Sequence, residues 1–321
     1  MKIIISEFMD EAALSGFAEK DQVLYAPNLV DDRAALLAEV SDADALIVRN
    51  RTRVDAEVLA AAPLLKVVGR LGVGLDNIDL DACEERGIKV CPATGANTLS
   101  VAEYVIAMTL VLLRGAYGAN EPMIAGNWPR QSLIGCEASG RTLGLVGFGE
   151  IAGAVAVRAK ALGMEIAAYD PFLPASDAGW QGIRRYEAIG SLLKDSDVVS
   201  LHVPLTDDTR NLIDAKAIAG MRTRAVLVNT ARGGIVDEAA VAEALRAGTL
   251  GGAALDVFHS EPLAAAQASC FEGVPNLVLT PHIAGVTEEG NVRVSIVTVE
   301  NVARELAKAG CRRAPLGKCP G

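Results

Sequence analysis

Three residues near the ends of apolar segments carry side chains that suit the oxidation of an alcohol or the reduction of a ketone. Arg232 directly follows AVLVNTA, Glu261 lies in DVFHSEP, and His282 ends NLVLTPH. Oxidising a hydroxy acid requires a base for the hydroxyl proton and a cation that holds the carboxylate. Arg232 would hold the substrate, His282 would move the proton, and Glu261 would orient His282 and raise its pKa. Taken singly, each has a structural alternative: a surface charge, a solvated residue before a proline, and a hydrogen-bonded structural histidine.

A glycine-rich turn within residues 143–156, LGLVGFGEIAGAVA, has the GxGxxA pattern of a dinucleotide-binding loop. Gly147 would permit the tight turn, Gly149 would let the backbone approach a pyrophosphate, and the small Ala152 would let the helix pack on the strand. Asp170 ends the next apolar segment, where a carboxylate accepts the ribose hydroxyls and repels a 2′-phosphate. The pattern therefore favours NAD over NADP. The alternative is an ordinary strand–helix turn with a capping aspartate.

Residues 48–54, VRNRTRV, gather three arginines in a chain whose net charge is -10. One interpretation is a solvated loop edge. The other is a clamp for a small anion such as a phosphate, a sulfonate or a second carboxylate. In an extended run, Arg49, Arg51 and Arg53 would share one face, so that not all three need reach a ligand. We expect Asn50 and Arg51 to be the closest pair.

The segments that would position these residues alternate between strand and helix in two series. The first series includes KIIIS, QVLYA, ALIVRN and LKVVGRL, and the second runs from TLGLVGFG through IAAYD and DVVSLHV to NLVLTPH. Repeated strand–helix–strand units predict parallel sheets, which bind ligands at the carboxyl ends of their strands. We therefore expect an α/β protein with two Rossmann-like, doubly wound parallel-sheet domains, as a length of 321 residues also suggests.

Composition and charge argue against several other classes of protein. The 40 acidic and 30 basic side chains disfavour binding to nucleic acid or to a membrane surface, because both favour basic patches. No segment has the roughly 20 apolar residues that span a bilayer, and MKIIISEFMDE is typical of a first strand rather than a signal peptide. Six cysteines without CxxC spacing predict reduced thiols in the cytoplasm, and three histidines without paired spacing predict no metal site.

Six motifs in order make the chain similar to the D-2-hydroxyacid dehydrogenase family, and within it to the 3-phosphoglycerate dehydrogenase branch. They are VGRLGVGLDNID, LGLVGFGEIAG, SLHVPLTDDTRNLI, NTARGGIVDE, GAALDVFHSEP and TPHIAGVT, and together they span nearly the whole chain. The resemblance implies a substrate-binding domain at 1–97 plus 291–321, an NAD-binding Rossmann domain at 98–290, and a cleft between them. It also implies a homodimer to which residues around 98–120 contribute.

The resemblance also implies roles for individual residues. Arg232, Glu261 and His282 become the catalytic residues of an NAD-dependent 2-hydroxyacid dehydrogenase, with His282 as the acid and base. The implied NAD site is Gly147, Gly149, Glu150, Ile151, Asp170, Val203, Thr230, Ala231, Arg232, Asp256, His282 and Gly285. The implied substrate site is Arg49, Asn50, Arg51, Val73, Gly74 and Arg232. The family commonly has Arg where this chain has Glu150, so we expect modest NAD affinity.

The arginine-rich segment bears on the choice of substrate, because the resemblance places it near C3 of a bound 2-hydroxy acid. Phosphate is the C3 group expected from the 3-phosphoglycerate branch. The opening MKIIISEFMDEAAL and the VRNRT run also resemble (S)-sulfolactate dehydrogenases of the same family, which favours a sulfonate. The alternatives are a D-3-phosphoglycerate dehydrogenase, a hydroxypyruvate or glyoxylate reductase, and a non-enzymatic NAD-sensing scaffold. Longer phosphoglycerate dehydrogenases carry a regulatory domain that these residues do not include, so we do not expect serine feedback.

Overall fold

The computed structural model describes residues 1–311, and the chain divides into two compact units. The first unit contains Met1–Asn97 and the segment from Val286 onward, and the second contains Thr98–Gly285. Each unit is a parallel sheet with helices, which confirms the predicted α/β class. The segment that begins at Val286 carries the last helix, whose Val294, Val299, Val302 and Leu306 lie in the core of the first unit.

The first unit is built on a five-stranded parallel sheet in the order β2-β1-β3-β4-β5. Its strands are β1 (Lys2–Ile5), β2 (Gln22–Tyr25), β3 (Ala45–Val48), β4 (Val67–Arg70) and β5 (Lys89–Pro92), and its first three helices are α1 (Arg33–Glu39), α2 (Ala56–Ala61) and α3 (Leu80–Glu85). Successive residues of β1 and β3 belong to two different buried clusters. Both faces of this sheet are therefore covered, which explains why its strands are short and almost wholly apolar.

The second unit is built on a seven-stranded parallel sheet in the order β12-β11-β10-β9-β6-β7-β8. Its strands are β6 (Thr142–Val146), β7 (Glu165–Tyr169), β8 (Arg184–Arg185), β9 (Val198–Leu201), β10 (Ala225–Asn229), β11 (Leu250–Leu255) and β12 (Leu277–Leu279). Its helices are α4 (Thr98–Arg114), α5 (Asn120–Ile124), α6 (Glu150–Ala161), α7 (Ile189–Asp195), α8 (Ala215–Ala219), α9 (Glu238–Arg246) and α10 (Ala265–Ala268). The strand order reverses between β6 and β9. In doubly wound sheets, ligands bind outside the carboxyl ends of the strands at such a reversal.

Helix α4 opens the second unit and packs on α6, β10 and β11. It buries Val101, Val105 and Leu112 and leaves Glu103 exposed, so it is an amphipathic core helix. Within residues 1–311, no helix combines the length and the apolar character that crossing a bilayer requires.

The last helix, α11 (Glu288–Cys311), completes the first unit. Its buried Val299 and Val302 share a core with Ile3 and Ile5 of β1. A Cβ atom at Gly69 in β4 would lie 2.6 Å from Val302 Cγ2, so the helix approaches β4 as closely as only glycine allows. The core of the first unit is therefore made from both ends of the chain.

Candidate active site

The glycine-rich turn connects β6 to α6 at the reversal of the second sheet. Gly147 has a φ of 85°, and a Cβ atom there would lie 2.5 Å from the carbonyl oxygen of His202. Gly149 is the N-cap of α6; within residues 1–311 no side chain caps this end, and a Cβ atom at Gly149 would meet no atom within 4 Å beyond its own chain neighbours. The N–H groups of the first turn of α6 thus face a space that a pyrophosphate would suit.

Asp170 lies one residue beyond β7 and is tied to this turn. Its Oδ2 accepts a hydrogen bond from the N–H of Phe148 at 2.9 Å, and its Oδ1 accepts from the N–H groups of Phe172 at 2.9 Å and Leu173 at 3.1 Å. Carboxylate oxygens each accept more than one bond, so these contacts leave capacity for ribose hydroxyls. Asp170 therefore links the shape of the phosphate turn to the predicted ribose position.

Thr230, a set of half-buried residues and Glu150 bear on whether the second unit fits NAD. Thr230 Oγ1 is buried and, within residues 1–311, has no hydrogen-bond partner, as expected of a group that meets a ligand. Four more of the predicted cofactor residues are half-buried: Ile151 within α6, Val203 after β9, Ala231 after β10 and Gly285 beyond β12. Glu150 opposes this fit, because its exposed carboxylate occupies the first position of α6. The residues present fit the cofactor with that one electrostatic penalty.

The structure brings the three predicted catalytic residues to the carboxyl edge of the second sheet. His282 Nδ1 lies 2.7 Å from Glu261 Oε2, and Glu261 Oε1 accepts a hydrogen bond from the N–H of Phe258 at 3.0 Å. Burial alone would raise the pKa of the Glu261 carboxyl, but these two hydrogen bonds and the charges of His282 and Arg232 lower it below its usual value. Glu261 is therefore held as a carboxylate beside the imidazole.

Arg232 is positioned by the turn that follows β10. Asn229 Oδ1 accepts from the N–H of Ala231 at 3.1 Å, and Asn229 Nδ2 donates to the carbonyl oxygen of Arg232 at 3.1 Å. A Cβ atom at Gly233 would lie 1.7 Å from the carbonyl oxygen of Phe258, so the Arg232 turn presses against the loop that carries Glu261. The first glycine after Arg232 thus lets the turn of Arg232 meet the loop that carries Glu261.

Asp256 holds the loop that carries His282. Its side chain is fully buried; Oδ1 accepts from Thr280 Oγ1 at 2.6 Å and from Ile283 N at 2.8 Å, and Oδ2 accepts from Ala284 N at 2.8 Å. These bonds tie Asp256 to the His282 loop, and its implied place in the NAD site stays a prediction. Thr280 Oγ1 also lies 2.5 Å from the hydroxyl of Tyr104, a partner that no sequence pattern indicated.

The predicted substrate residues of the first unit lie at the carboxyl edge of its sheet. Residues 49–53, which we call the arginine loop, are not the extended run expected from their alternation. The chain bends at residues 50–52, and the N–H groups of Arg49, Arg51 and Thr52 all point to the carboxylate of Glu7. The shared arginine face holds only in part: Arg51 and Arg53 are exposed on either side of the buried Thr52, whereas Arg49 is half-buried and Asn50 is exposed beside Arg51.

The arginines at this edge differ in their surroundings. Arg49 Nη2 donates to Asn291 Oδ1 at 2.9 Å, its guanidinium lies 5.9 Å from the centre of the Phe8 ring, and burial lowers its pKa. Arg51 is 60% exposed and forms an ion pair with Asp31. Arg70 ends β4 opposite Val48 and closes the apolar segment LKVVGR. Of the predicted pair after β4, Val73 is exposed and Gly74 is half-buried.

Comparisons with known proteins agree with this geometry. A family model described as D-isomer specific 2-hydroxyacid dehydrogenase, NAD binding domain, matches residues 106–284. The chain is 57% identical to an (S)-sulfolactate dehydrogenase of Chromohalobacter salexigens, over 95% of this chain and 98% of that protein. It is 40% identical to a D-3-phosphoglycerate dehydrogenase of Archaeoglobus fulgidus over 94% of this chain, although the match spans only 56% of that longer protein.

A solved structure has the same fold. The TT0316 protein from Thermus thermophilus superposes with a TM-score of 0.86 and is 36% identical, covering 96% of this chain and 97% of its own. Because both units are covered, the likeness extends beyond the segment that the family model matches.

Proposed function

The chain belongs to the D-isomer specific 2-hydroxyacid dehydrogenase family, and we propose that its substrates are (S)-3-sulfolactate and 3-sulfopyruvate. As a member of the family it is an NAD-dependent oxidoreductase acting on a small 2-hydroxy acid. The observation that carries the proposal is the 57% identity with the sulfolactate dehydrogenase, against 40% with the D-3-phosphoglycerate dehydrogenase. The two matches cover 95% and 94% of this chain, so unequal coverage does not explain the difference.

The catalytic residues have separate tasks in the proposed reaction. NAD, which the turn between β6 and α6 and the carboxylate of Asp170 would hold, would supply the acceptor for the hydride on C2 of the hydroxy acid. Arg232 holds the substrate carboxylate through its planar guanidinium. The Nε2 atom of His282 takes the hydroxyl proton during oxidation and returns a proton to the oxygen during reduction. Glu261 keeps the imidazole oriented through its 2.7 Å contact with Nδ1.

Asn50 and Arg51 bind the sulfonate at C3 in this proposal. Both side chains are exposed, whereas Arg49 is half-buried and bonded to Asn291. In the Arg51–Asp31 ion pair, the side chain of Arg51 is 60% exposed and that of Asp31 is 64% exposed. Such surface pairs contribute little to stability. An incoming sulfonate can therefore replace Asp31 on the guanidinium at small cost.

A substrate panel tests the proposed function. NADH oxidation is measured with 3-sulfopyruvate, 3-phosphohydroxypyruvate, hydroxypyruvate, glyoxylate and oxaloacetate. We expect the highest kcat/KM with 3-sulfopyruvate. Preference for 3-phosphohydroxypyruvate would transfer the anion-binding role of Arg51 to a phosphate, and preference for glyoxylate or hydroxypyruvate would mean that the arginine loop is a solvated edge.

The role of Arg51 has a matched control within the same loop. Arg51→Ala should raise KM for 3-sulfopyruvate by about 10- to 100-fold, because a hydrogen bond between two charged groups contributes about 1.5–3 kcal/mol. Arg53→Ala removes the same charge from an exposed neighbour and should have little effect. Equal losses in the two variants would contradict a specific contact with Arg51.

We also propose that the chain forms a homodimer through the segment between α4 and β6. Five large apolar side chains there are exposed: Tyr117 by 64%, Met123 by 42%, Ile124 by 86%, Trp128 by 78% and Ile134 by 69%. A second copy of the chain suits this surface because exposed apolar side chains gathered in one segment mark association sites. This surface lies mostly beyond residues 98–120, the region that the resemblance implies for the dimer interface. Light scattering should give a dimer for the wild type and a monomer for Ile124→Glu/Trp128→Glu.

We propose a cytoplasmic location for the protein. Cys83, Cys91, Cys136 and Cys270 are free thiols in the described part of the chain, which suits a reducing compartment. Cell fractionation tests this assignment, and recovery with an oxidising compartment would contradict it.

A further inference from the structure

A buried carboxylate lies beneath the arginine loop. Glu7 follows β1 by two residues, and only 4% of it is exposed. Its Oε1 accepts hydrogen bonds from the N–H groups of Arg49 at 2.8 Å and Thr52 at 2.9 Å, and its Oε2 accepts from that of Arg51 at 3.2 Å. Three donors of one short loop thus converge on a group that, when ionised, only accepts hydrogen bonds.

The parallel sheet explains why these groups meet. β1 and β3 are neighbours with Ile5 opposite Ile47, so the chain beyond one strand lies beside the chain beyond the other. The contact is reinforced by the hydroxyl groups of Ser6 and Thr52, which lie 3.0 Å apart. Glu7 is therefore placed beneath the loop by the register of the sheet.

The carbonyl groups of the same loop are also fixed. Asn77 Nδ2 donates to the carbonyl oxygen of Thr52 at 2.6 Å and to that of Arg49 at 3.3 Å. The N–H of Val54 in turn donates to the carbonyl oxygen of Asn77 at 2.8 Å. Because N–H groups of the loop are bonded to Glu7 and two of its carbonyl groups to Asn77, the side chains of Asn50 and Arg51 are presented in a restricted range of positions.

A buried acid at this position needs an explanation, because it places negative charge near a site that would take an anion. Burial of an unpaired carboxylate is unfavourable, and here the three N–H groups satisfy it. The charge of Glu7 also acts on the half-buried Arg49. Burial lowers the pKa of Arg49, and the nearby charge of Glu7 opposes that shift. The three N–H groups and the charge of Arg49 thus offset the charge of Glu7 within the first unit. The guanidinium of Arg51 stays at the surface.

We propose that Glu7 is a positioning residue that sets the backbone of the arginine loop, so that Asn50 and Arg51 meet the second anionic group of the substrate. The inference rests on the proposed function for its substrate. Glu7 itself does not contact that substrate and acts through the loop.

The first test is the isosteric substitution Glu7→Gln. Its amide has one oxygen for three N–H groups and places an NH2 group against at least one of them. We expect KM for 3-sulfopyruvate to rise about tenfold, while kcat and the KM for glyoxylate change by less than about twofold, because an equal effect on all acids would indicate general damage. Glu11→Gln, an exposed acid of the same segment, is the matched control.

A double-mutant cycle with Arg51→Ala separates positioning from independent damage. If Glu7 acts through Arg51, the tenfold effect should nearly vanish in the Arg51→Ala background. Fully additive effects on KM would overturn the proposal. Should Glu7→Gln fail to fold, Glu7→Asp replaces it, because the charge remains while the shorter side chain reaches fewer of the three N–H groups.

Hydrogen exchange of residues 49–53 tests the positioning without any substrate. These amides should exchange faster in Glu7→Gln than in the wild type or in Glu11→Gln. Unchanged exchange would overturn the proposal even if the wild type prefers 3-sulfopyruvate. Faster exchange in an enzyme that shows no preference for a second anionic group would instead reject the proposed function and retain Glu7 as the residue that orders the loop.

Discussion

His282 donates its backbone N–H to the carbonyl oxygen of Asp256 at 2.8 Å and has a φ of 55°. Few residues other than glycine adopt this left-handed conformation, and it persists only where the surroundings impose it. Here Asp256 imposes it, because its carboxylate also holds the N–H groups of Ile283 and Ala284 at 2.8 Å. The imidazole is thereby brought to Glu261 by a buried acid that takes no part in proton transfer.

Replacing His282 by Ala should lower kcat by about 10²- to 10⁴-fold, the usual contribution of a positioned acid or base. NADH binding, measured by fluorescence titration, should change little, because His282 is only one of the predicted cofactor residues and the β6–α6 turn and Asp170, which would hold the pyrophosphate and the ribose, are unchanged. His259→Ala is the control, since His259 is an exposed histidine of the same unit. A loss of activity of less than tenfold would reject His282 as the acid and base.

Asp256→Asn should reduce both activity and stability although Asp256 touches no reacting atom. The amide would place an NH2 group against the N–H of either Ile283 or Ala284, and an unsatisfied buried donor costs about 1–3 kcal/mol. We expect a lower melting temperature and a fall in kcat at unchanged KM for NADH. Normal kcat in a destabilised protein would show that the loop holds His282 without Asp256.

Glu150→Gln should tighten NAD binding. A carboxylate at the first position of α6 repels a nearby pyrophosphate, and removing it should lower the Kd by about 3- to 10-fold at low ionic strength. The gain should shrink as salt is added. Glu272→Gln removes the same charge from an exposed position of the second unit and should leave the Kd unchanged; an equal gain in that variant would point to net charge rather than to position.

His202 should make stability depend on pH. Burial lowers its pKa to about 4 from the ordinary 6.5, so the unfolded chain binds more protons between these two values. Its contribution is therefore fully present above about pH 6.5 and is lost as the pH falls towards 4. Between pH 7 and pH 5 the free energy of unfolding should fall by about 2 kcal/mol from this group, at about 1.4 kcal/mol per pH unit.

Urea denaturation at these two pH values checks the effect. His202→Gln should show a smaller fall in stability than the wild type, whereas His259→Gln, with its exposed position, should behave as the wild type. The same pH dependence in all three proteins would show that other groups cause it.

The sheet architecture and the position of the candidate catalytic residues at one edge of the second sheet were predictable from the sequence for one physical reason. Parallel strands bring their carboxyl ends to one edge, so Arg232 and His282, which follow different apolar segments, were expected to meet there. The nucleotide turn was predictable because glycine is required at Gly147 and a carboxylate twenty-odd residues later suits a ribose. These inferences depend on residue type and on local order along the chain.

The supporting residues were not predictable, because their partners are distant in sequence. Glu7 and Glu11 are both acids of the opening segment, yet Glu7 is 4% exposed and Glu11 lies at the surface. The burial of Glu7 depends on loop N–H groups 42 to 45 residues away. The same bonds bend the arginine loop, which is why Asn50 is exposed beside Arg51 instead of alternating with it.

The first unit is made from two separated stretches of chain, and this has a consequence for synthesis. While the ribosome is still translating, Thr98–Gly285 is complete before any of α11 exists. Domains generally fold as units as they emerge, so the nucleotide-binding half is expected to fold while the opening residues still lack their last helix. A nascent chain released before Glu288 should therefore give a protease-resistant second unit joined to a protease-sensitive N-terminal segment.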